Sequence, residues 1–151
     1  MEKQEEKQAK EKAVRLKVLV PIDGSEQSNL AVKRAGQYAS LAHVDITLLT
    51  VLEDVVSYRS VPETPLYRER QQSAEEVLAK AKKELDDHGV SCETKISVGP
   101  VASEIVRIAE EQGFTSIFMG SRGIRGLKRM VLGSVADEVI RYAHCPVTII
   151  R

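Results

Sequence analysis

The stretch TSIFMGSRGIRGLKRMVLGSVADEVIRYAHCPVTIIR, residues 115–151, decides the fold class. TSIFMG (115–120) is a short run of mostly apolar residues, which predicts a strand. It runs straight into a segment that holds Gly120, Gly123, Gly126 and Gly133. Arg122, Arg125, Lys128 and Arg129 lie between the first and last of these glycines, with no acidic residue among them. SVADEVIRYAH (134–144) then has helical spacing, and Ser134 with Asp137 three residues on resembles a capping-box start. CPVTIIR (145–151) is a second apolar strand. A strand, a loop, a helix and a strand in this order predict a parallel pair joined by a crossover.

The same pattern repeats upstream. KVLVPI (17–22) is a strand ended by Asp23-Gly24, and Ser25 caps a helix with Leu30, Ala31, Ala35, Tyr38, Ala39 and Ala42 on one face. DITLLTVLE (45–53) is apolar at nearly every position, as a strand covered on both faces should be. VVSYRSVPETPLYRERQ (55–71) contains two prolines and no clean period, and predicts a long loop or a broken helix start. SAEEVLAKAKKELDDHG (73–89) is a helix stopped at Gly89. VSCETKISV (90–98) alternates as a strand does, and Gly99-Pro100 leads into the helix ASEIVRIAEEQG, with Pro100 near its first turn. The resulting order, β-α-β-α-β-α-β-α-β, predicts a single α/β domain, an open parallel five-stranded sheet with helices on both faces, of the Rossmann-like nucleotide-binding kind.

Bulk properties narrow the function classes. At 151 residues the chain fits one domain and can bury a core without disulfides. Lys and Arg number 22, as do Asp and Glu, so no global field steers the protein to nucleic acid or a membrane. Aromatics are 4% and Trp is absent, which leaves few platforms for stacking bases. No apolar run approaches the roughly 20 residues of a membrane span, and no signal peptide opens the chain. A cytoplasmic protein without nucleic-acid or membrane partners is the expectation. Cys92 and Cys145 form no CxxC pair and read as small buried hydrophobes. Residues 1–12 hold four Lys and four Glu, so residues 1–15 read as a charged N-terminal extension, with i,i+4 pairs such as Glu6–Lys10, before a domain spanning 16–151.

In an open parallel sheet, ligands bind beyond the carboxyl ends of the strands. Three segments meet there: Pro21-Ile22-Asp23-Gly24, Val51-Leu52-Glu53, and the loop after Gly120. Glycines let backbone N–H groups approach an anion and admit positive φ, and successive N–H groups make an anion nest. Ser134 opens a helix whose N-terminus favours negative charge, and its hydroxyl either donates to a phosphate oxygen or caps the helix. The pattern is neither GK[ST] nor GxGxxG. On the residues alone, an anion cradle and a flexible basic turn both remain open. Asp23 is placed to accept from a ribose hydroxyl or an adenine amine, or to make an Asx turn. His43, His88 and His144 fall at helix ends, Asp86-Asp87 reads as a solvated face, and no Ser/His/Asp or Cys/His set converges.

The spacing Gly120-x2-Gly123-x9-Gly133-Ser134 resembles the G-2x-G-9x-G-(S/T) signature of the ATP-binding branch of the universal stress protein family. VLVPIDGSEQS, a valine at the end of the second strand, and Gly99-Pro100 before a helix extend the resemblance over about residues 16–151. The resemblance implies strand order 3-2-1-4-5 and binding of ATP or AMP, with Mg or Mn admitted beside the phosphates. It also implies a homodimer through the last strand, residues 146–150. By position, Pro21 and Asp23 would flank the adenosine, and the backbone of Val51 would hold the adenine edge. Met119 and Gly120 would lie beneath the ribose and first phosphate, and Gly123, Gly133, Ser134 and Val135 would hold the phosphates. Arg122 joins this set as a basic supplement from the loop. Some nucleotide-binding members carry a hydroxyl residue where this chain has Ala136, a departure that loosens a triphosphate grip.

Three functions compete on these grounds: a nucleotide-dependent regulatory dimer in a stress response, acting on an unknown protein partner; a slow ATP hydrolase or phosphotransferase using Asp23 or Glu53; and a partner-binding module indifferent to nucleotide. The first accounts for the complete glycine spacing, and robust catalysis is not expected.

Overall fold

The computed structural model describes residues 1, 2, 4, 15–53, 64–123 and 132–151. Along the chain run β1 (Leu16–Pro21), α1 (Glu26–Leu41), β2 (Val44–Glu53), α2 (Pro65–Asp87), β3 (Cys92–Gly99), α3 (Val101–Glu111), β4 (Ser116–Gly120), α4 (Ser134–Tyr142) and β5 (Val147–Ile150). The strands form one parallel sheet in the order β3-β2-β1-β4-β5. The alternation of strands and helices predicts this class; the strand order agrees with the one the family resemblance implies.

Side-chain alternation along each strand splits the core into two layers. Val18, Val20, Ile22, Ile46 and Leu48 face α1 and α2, meeting Ala31, Val32, Ala35, Leu78, Ala81 and Leu85. Leu19, Leu49, Ile117 and Met119 face α3 and α4, meeting Ile105, Ile108, Ala109, Ala136 and Val139. β2 sits inside both layers and is buried from Ile46 to Thr50, as its nearly unbroken apolar run requires.

Several boundaries differ from the expectation. Residues 65–72 belong to α2 and not to a loop. Thr64 caps that helix by accepting from the Tyr67 N–H at 3.2 Å, and Pro65 opens it, its fixed φ suiting the first turn. Of the two readings of 55–71, a helix start holds from Pro65 on; residues 55–63 lie outside the described residues. Gly89, with φ +74, ends α2 as a left-handed cap. Pro100 lies at the first turn of α3 as expected, in the cap position directly before Val101. Ser25 caps α1 as expected, accepting from the Ser28 N–H at 3.1 Å. The Glu6–Lys10 pair lies outside the described residues.

Cys92 and Cys145 are free and half-buried, less enclosed than expected, and burial raises both thiol pKa values. His43, His88 and His144 are exposed at the ends of α1, α2 and α4, and Asp86 and Asp87 are exposed beside Lys82 and Lys83. Among the described residues, no helix is long and apolar enough to cross a membrane.

The start of α3 holds an ion-pair cluster. Glu104, with 14% of its side chain exposed, pairs with Arg107 at 2.8 Å and accepts a hydrogen bond from the Ser97 hydroxyl of β3. The Arg107 hydrogen bond, helped by Ser97 and opposed by burial, holds the Glu104 carboxyl below its usual range. A carboxyl whose pKa is depressed on folding stabilises the fold above its unfolded value of about 4.3 and loses that contribution as pH falls through the folded one. Glu104→Gln should therefore lower stability at pH 7 and converge on the wild type only at strongly acid pH, below the lowered folded pKa. Urea melts at both pH values check this; an equal gap at both would show that charge is not the cause.

Candidate functional site

β1 and β4 are adjacent in the sheet, and the chain leaves them in different directions, which opens a crevice above their carboxyl ends. Pro21 is buried at the end of β1, and the Ile22 N–H still donates to Leu49 of β2 at 2.8 Å. The Thr50 hydroxyl donates to the Ile22 carbonyl at 3.1 Å and ties that strand end down from the neighbouring strand. Asp23 then emerges exposed. Its Oδ1 accepts from the Ser25 N–H at 2.9 Å, an Asx turn that starts α1. Gly24, at φ +82, makes the sharp turn between them.

The glycine loop closes opposite. The Ser121 N–H donates to Ile150 of β5 at 2.9 Å, and the Ser121 carbonyl accepts from the Gly133 N–H at 2.6 Å. Both ends of the loop are therefore pinned at one point at the top of β4. The space around its glycines shows why glycine stands there. A Cβ on Gly123 would come 2.6 Å from Asp23 Oδ2. A Cβ on Gly120 would come 2.7 Å from the backbone carbonyl carbon of Gln27 in α1, and one on Gly133 would come 3.2 Å from the Ser121 carbonyl. None of Gly120, Gly123 and Gly133 has positive φ. Positive φ is therefore not what calls for glycine at these three positions: at Gly120 the Gln27 backbone leaves no room for a side chain, whereas Gly123 faces only the end of the Asp23 side chain. Gly126, Arg125, Lys128 and Arg129 lie outside the described residues.

The helix after the loop starts one residue earlier than a Ser134 cap implies. Gly133 occupies the cap position, and no side chain caps the helix. The first intrahelical bond of α4 runs from the Asp137 N–H to the Gly133 carbonyl at 2.9 Å. The N–H groups of Ser134, Val135 and Ala136 thus precede the ladder, and among the described residues none has a hydrogen-bond acceptor. Ser134 is exposed, and its hydroxyl is released from the capping duty expected of it. Val135 is half-buried against the α3–α4 layer, and Ala136 is buried in it. The Ala136 side chain therefore packs in the core, and its contribution to the crevice is its N–H.

Val51 reaches the crevice through its backbone. In a strand, the N–H and C=O of a residue point to the same side, and the side alternates along the chain. The Leu49 carbonyl accepts from Ile22, so Val51, two residues on, presents N–H and C=O to the same side, above the point where β1 has ended. Its side chain packs into the α3–α4 layer. Met119 is buried in the same layer beneath Gly120, and Arg122 is half-exposed at the start of the loop.

The structure thus brings Asp23 against Gly123, and Gly120, Gly123, Gly133, Ser134 and Val135 around one pinned loop, with Pro21 and Met119 as buried strand-end supports. Glu53 ends β2 on the far side of β1, in register with Gly99 of β3 and away from the glycine loop. Two concavities of about 420 Å³ lie elsewhere, one between α2 and β3 and one between the ends of α1 and α2. Two residues that sequence reasoning passed over touch the glycines of the loop. Ser121 is the pin of the loop, and a polar residue directly after an apolar strand is a signal that would have marked it. Gln27 lies against Gly120, and nothing in its local sequence marks it. Among the described residues, no three His, Cys, Asp or Glu side chains converge as a metal cage.

Comparison with known proteins agrees with this architecture. The model of the universal stress protein family matches residues 15–151. The chain is 37% identical over 145 residues to the universal stress protein YxiE of Bacillus subtilis, covering 89% of this chain and 98% of that one. The solved structure of MJ0577 from Methanocaldococcus jannaschii superposes with a TM-score of 0.80 at 34% identity, covering 91% of this chain and 96% of that one. A universal stress protein from Archaeoglobus fulgidus, solved in complex with dAMP, shares the fold with a TM-score of 0.71 at 23% identity over 91% of this chain and 99% of that one. A crossover sheet in the order β3-β2-β1-β4-β5, a glycine loop pinned above β4, a family model that matches residues 15–151 and relatives that cover most of the chain lead to one assignment: the chain belongs to the universal stress protein family.

Proposed function

We propose that this protein belongs to the ATP-binding branch of its family and acts as a homodimeric switch, binding ATP or AMP in the crevice above β1, β2 and β4. The observation that carries this reading is the meeting of Asp23 with Gly123 across the crevice, beside three N–H groups at the start of α4 that have no intrahelical acceptor. A carboxylate on one wall accepts from sugar hydroxyls, and a row of N–H groups with a helix N-terminus on the other holds phosphate. Each such charge-assisted bond contributes about 1.5–3 kcal/mol, so four or five suffice for micromolar binding after ordering costs.

The roles follow from position. Pro21 and Asp23 flank the adenosine, and the Val51 backbone takes the adenine edge. Met119 and Gly120 floor the ribose and first phosphate. Gly123, Gly133, Ser134 and Val135 hold the phosphates, the freed Ser134 hydroxyl among their donors, and Arg122 adds charge. A relative that holds dAMP supports an adenine nucleotide as the ligand of this fold. Mg or Mn, where it takes part, travels with the phosphates, and Asp23 is the carboxylate that stands against Gly123. The dimer forms through residues 146–150, since β5 pairs with β4 along one edge and offers the other. Residues 1–15 are an extension to the domain at 16–151, and the switch shows its surface to a protein partner.

Isothermal titration of the full chain with ATP and with AMP tests the reading. Saturable heat at micromolar to low millimolar nucleotide is expected. No heat with either nucleotide at millimolar concentration would overturn it.

A further inference from the structure

Thr50 stands where the pairing of β1 with β2 stops. Hydrogen bonds in a parallel ladder are evenly spaced, so the register fixes which atoms bond next. Pro21 is level with Leu49, and the Ile22 N–H donates to the Leu49 carbonyl at 2.8 Å. The next bond of that series runs from the Val51 N–H to the Ile22 carbonyl. Among the described residues that bond is not made, and the register ends at Pro21. The Ile22 carbonyl accepts instead from the Thr50 hydroxyl at 3.1 Å. Thr50 is buried, and its side chain has taken the place of a main-chain donor. The same peptide is held from its other end, where the Asp23 N–H donates to the buried Ser28 hydroxyl of α1 at 3.4 Å.

The consequence falls on Val51. Its N–H and C=O lie side by side on the β1 side of β2, and Thr50 has released the N–H from strand pairing. A donor beside an acceptor complements adenine, which offers a ring-nitrogen acceptor beside its amine. Without the hydroxyl, the Ile22 carbonyl of a buried residue would be left unpaired, which is costly. The donor that the register brings to it is the Val51 N–H, and taking it would lengthen the ladder by one bond at the expense of the crevice. We propose that Thr50 is a positioning residue for base recognition: its hydroxyl satisfies the Ile22 carbonyl and so keeps the Val51 N–H available to the adenine ring of the bound nucleotide. This rests on the nucleotide-binding reading and adds to it the residue that keeps the base-reading edge open. A site built to bond a ring nitrogen rejects the analogue that lacks it, because its own polar group is then left unpaired.

The test uses the full-length chain as wild type, Thr50→Val, which keeps the shape and loses the hydroxyl, and Thr50→Ser, which keeps the hydroxyl. Without nucleotide, amide hydrogen exchange read by NMR should be at least about tenfold slower at Val51 in Thr50→Val than in the wild type, with Thr50→Ser like the wild type. Each protein is then titrated with ATP, 1-deaza-ATP and 7-deaza-ATP, analogues that each lack one of the ring acceptors beside the amine. The wild type should bind ATP about five- to tenfold more tightly than one of the two analogues. In Thr50→Val that preference should shrink to about twofold or less through weaker ATP binding, and Thr50→Ser should restore it. A purely structural loss would weaken all three nucleotides alike and keep the preference. Equal exchange at Val51 in the wild type and Thr50→Val overturns the proposal, as does a preference retained in Thr50→Val. Equal affinity of the wild type for all three nucleotides also overturns it and leaves nucleotide binding standing. Failure of the wild type to bind any of the three removes the nucleotide reading and this proposal with it.

Discussion

Gly120→Ala is expected to destabilise the fold by about 3 kcal/mol, lowering the melting temperature by about 6–12 °C. The added methyl would stand 2.7 Å from the Gln27 carbonyl carbon and 2.9 Å from its oxygen. Those are backbone atoms in the first turn of a capped helix, held by the Ser25 hydroxyl on the Ser28 N–H and by the Asn29 N–H on the Ser25 carbonyl. A flexible side chain could swing aside; this turn moves only if α1 shifts as a body against the sheet, and α1 contributes Ala31, Val32 and Ala35 to the core. Thermal and urea denaturation of the ligand-free protein check the prediction. A variant that melts with the wild type would show that the contact between α1 and β4 is looser than described.

The second large effect falls on binding. Gly123→Val is expected to weaken ATP affinity about 10–100-fold, the equivalent of losing one charge-assisted hydrogen bond of about 1.5–3 kcal/mol. The new side chain starts 2.6 Å from Asp23 Oδ2, so it fills the gap between the carboxylate and the loop and holds a phosphate off the backbone. Stability should change little, because what it meets is the exposed tip of a carboxylate that can turn away. The two variants thus divide the glycine signature by cause. The contacts tie Gly120 to the packing of the protein on itself, and the proposed function ties Gly123 to the approach of a ligand. Titration calorimetry beside a melting curve for each variant separates the two. Unchanged ATP affinity in Gly123→Val would contradict the cradle.

Much of this was legible in the sequence because it is local. The alternation of apolar strands with amphipathic helices appears within short windows and sets the α/β class. Asp23-Gly24-Ser25 announces a turn and a cap through the chemistry of three consecutive residues, and the structure shows both. The glycine spacing stands out because the loop is one continuous segment. Local rules also misled where two of them conflict. The prolines of 55–71 leave a long loop or a broken helix start open, and Pro65 proves to start a helix, because proline ends a helix from within but begins one well after a Thr64 cap. Ser134 was read as a cap, and Gly133 takes that place.

What only the tertiary structure decided lies between residues far apart in the chain. The family resemblance implies a place for Gly120 beneath a ribose and phosphate; that its missing Cβ makes room for Gln27 required α1 to be laid against β4. Val51 was a strand residue until the end of β1 left its N–H and C=O without a strand on that side. Ala136 was a missing hydroxyl until the α3–α4 layer closed over its methyl. The Gln27 amide oxygen, buried without a partner, carries no sequence signature, since being buried and unpaired belongs to the packed surroundings and not to a residue. Propensity and capping act over a few neighbours and can be read from order alone, whereas close approach and desolvation depend on which surfaces meet.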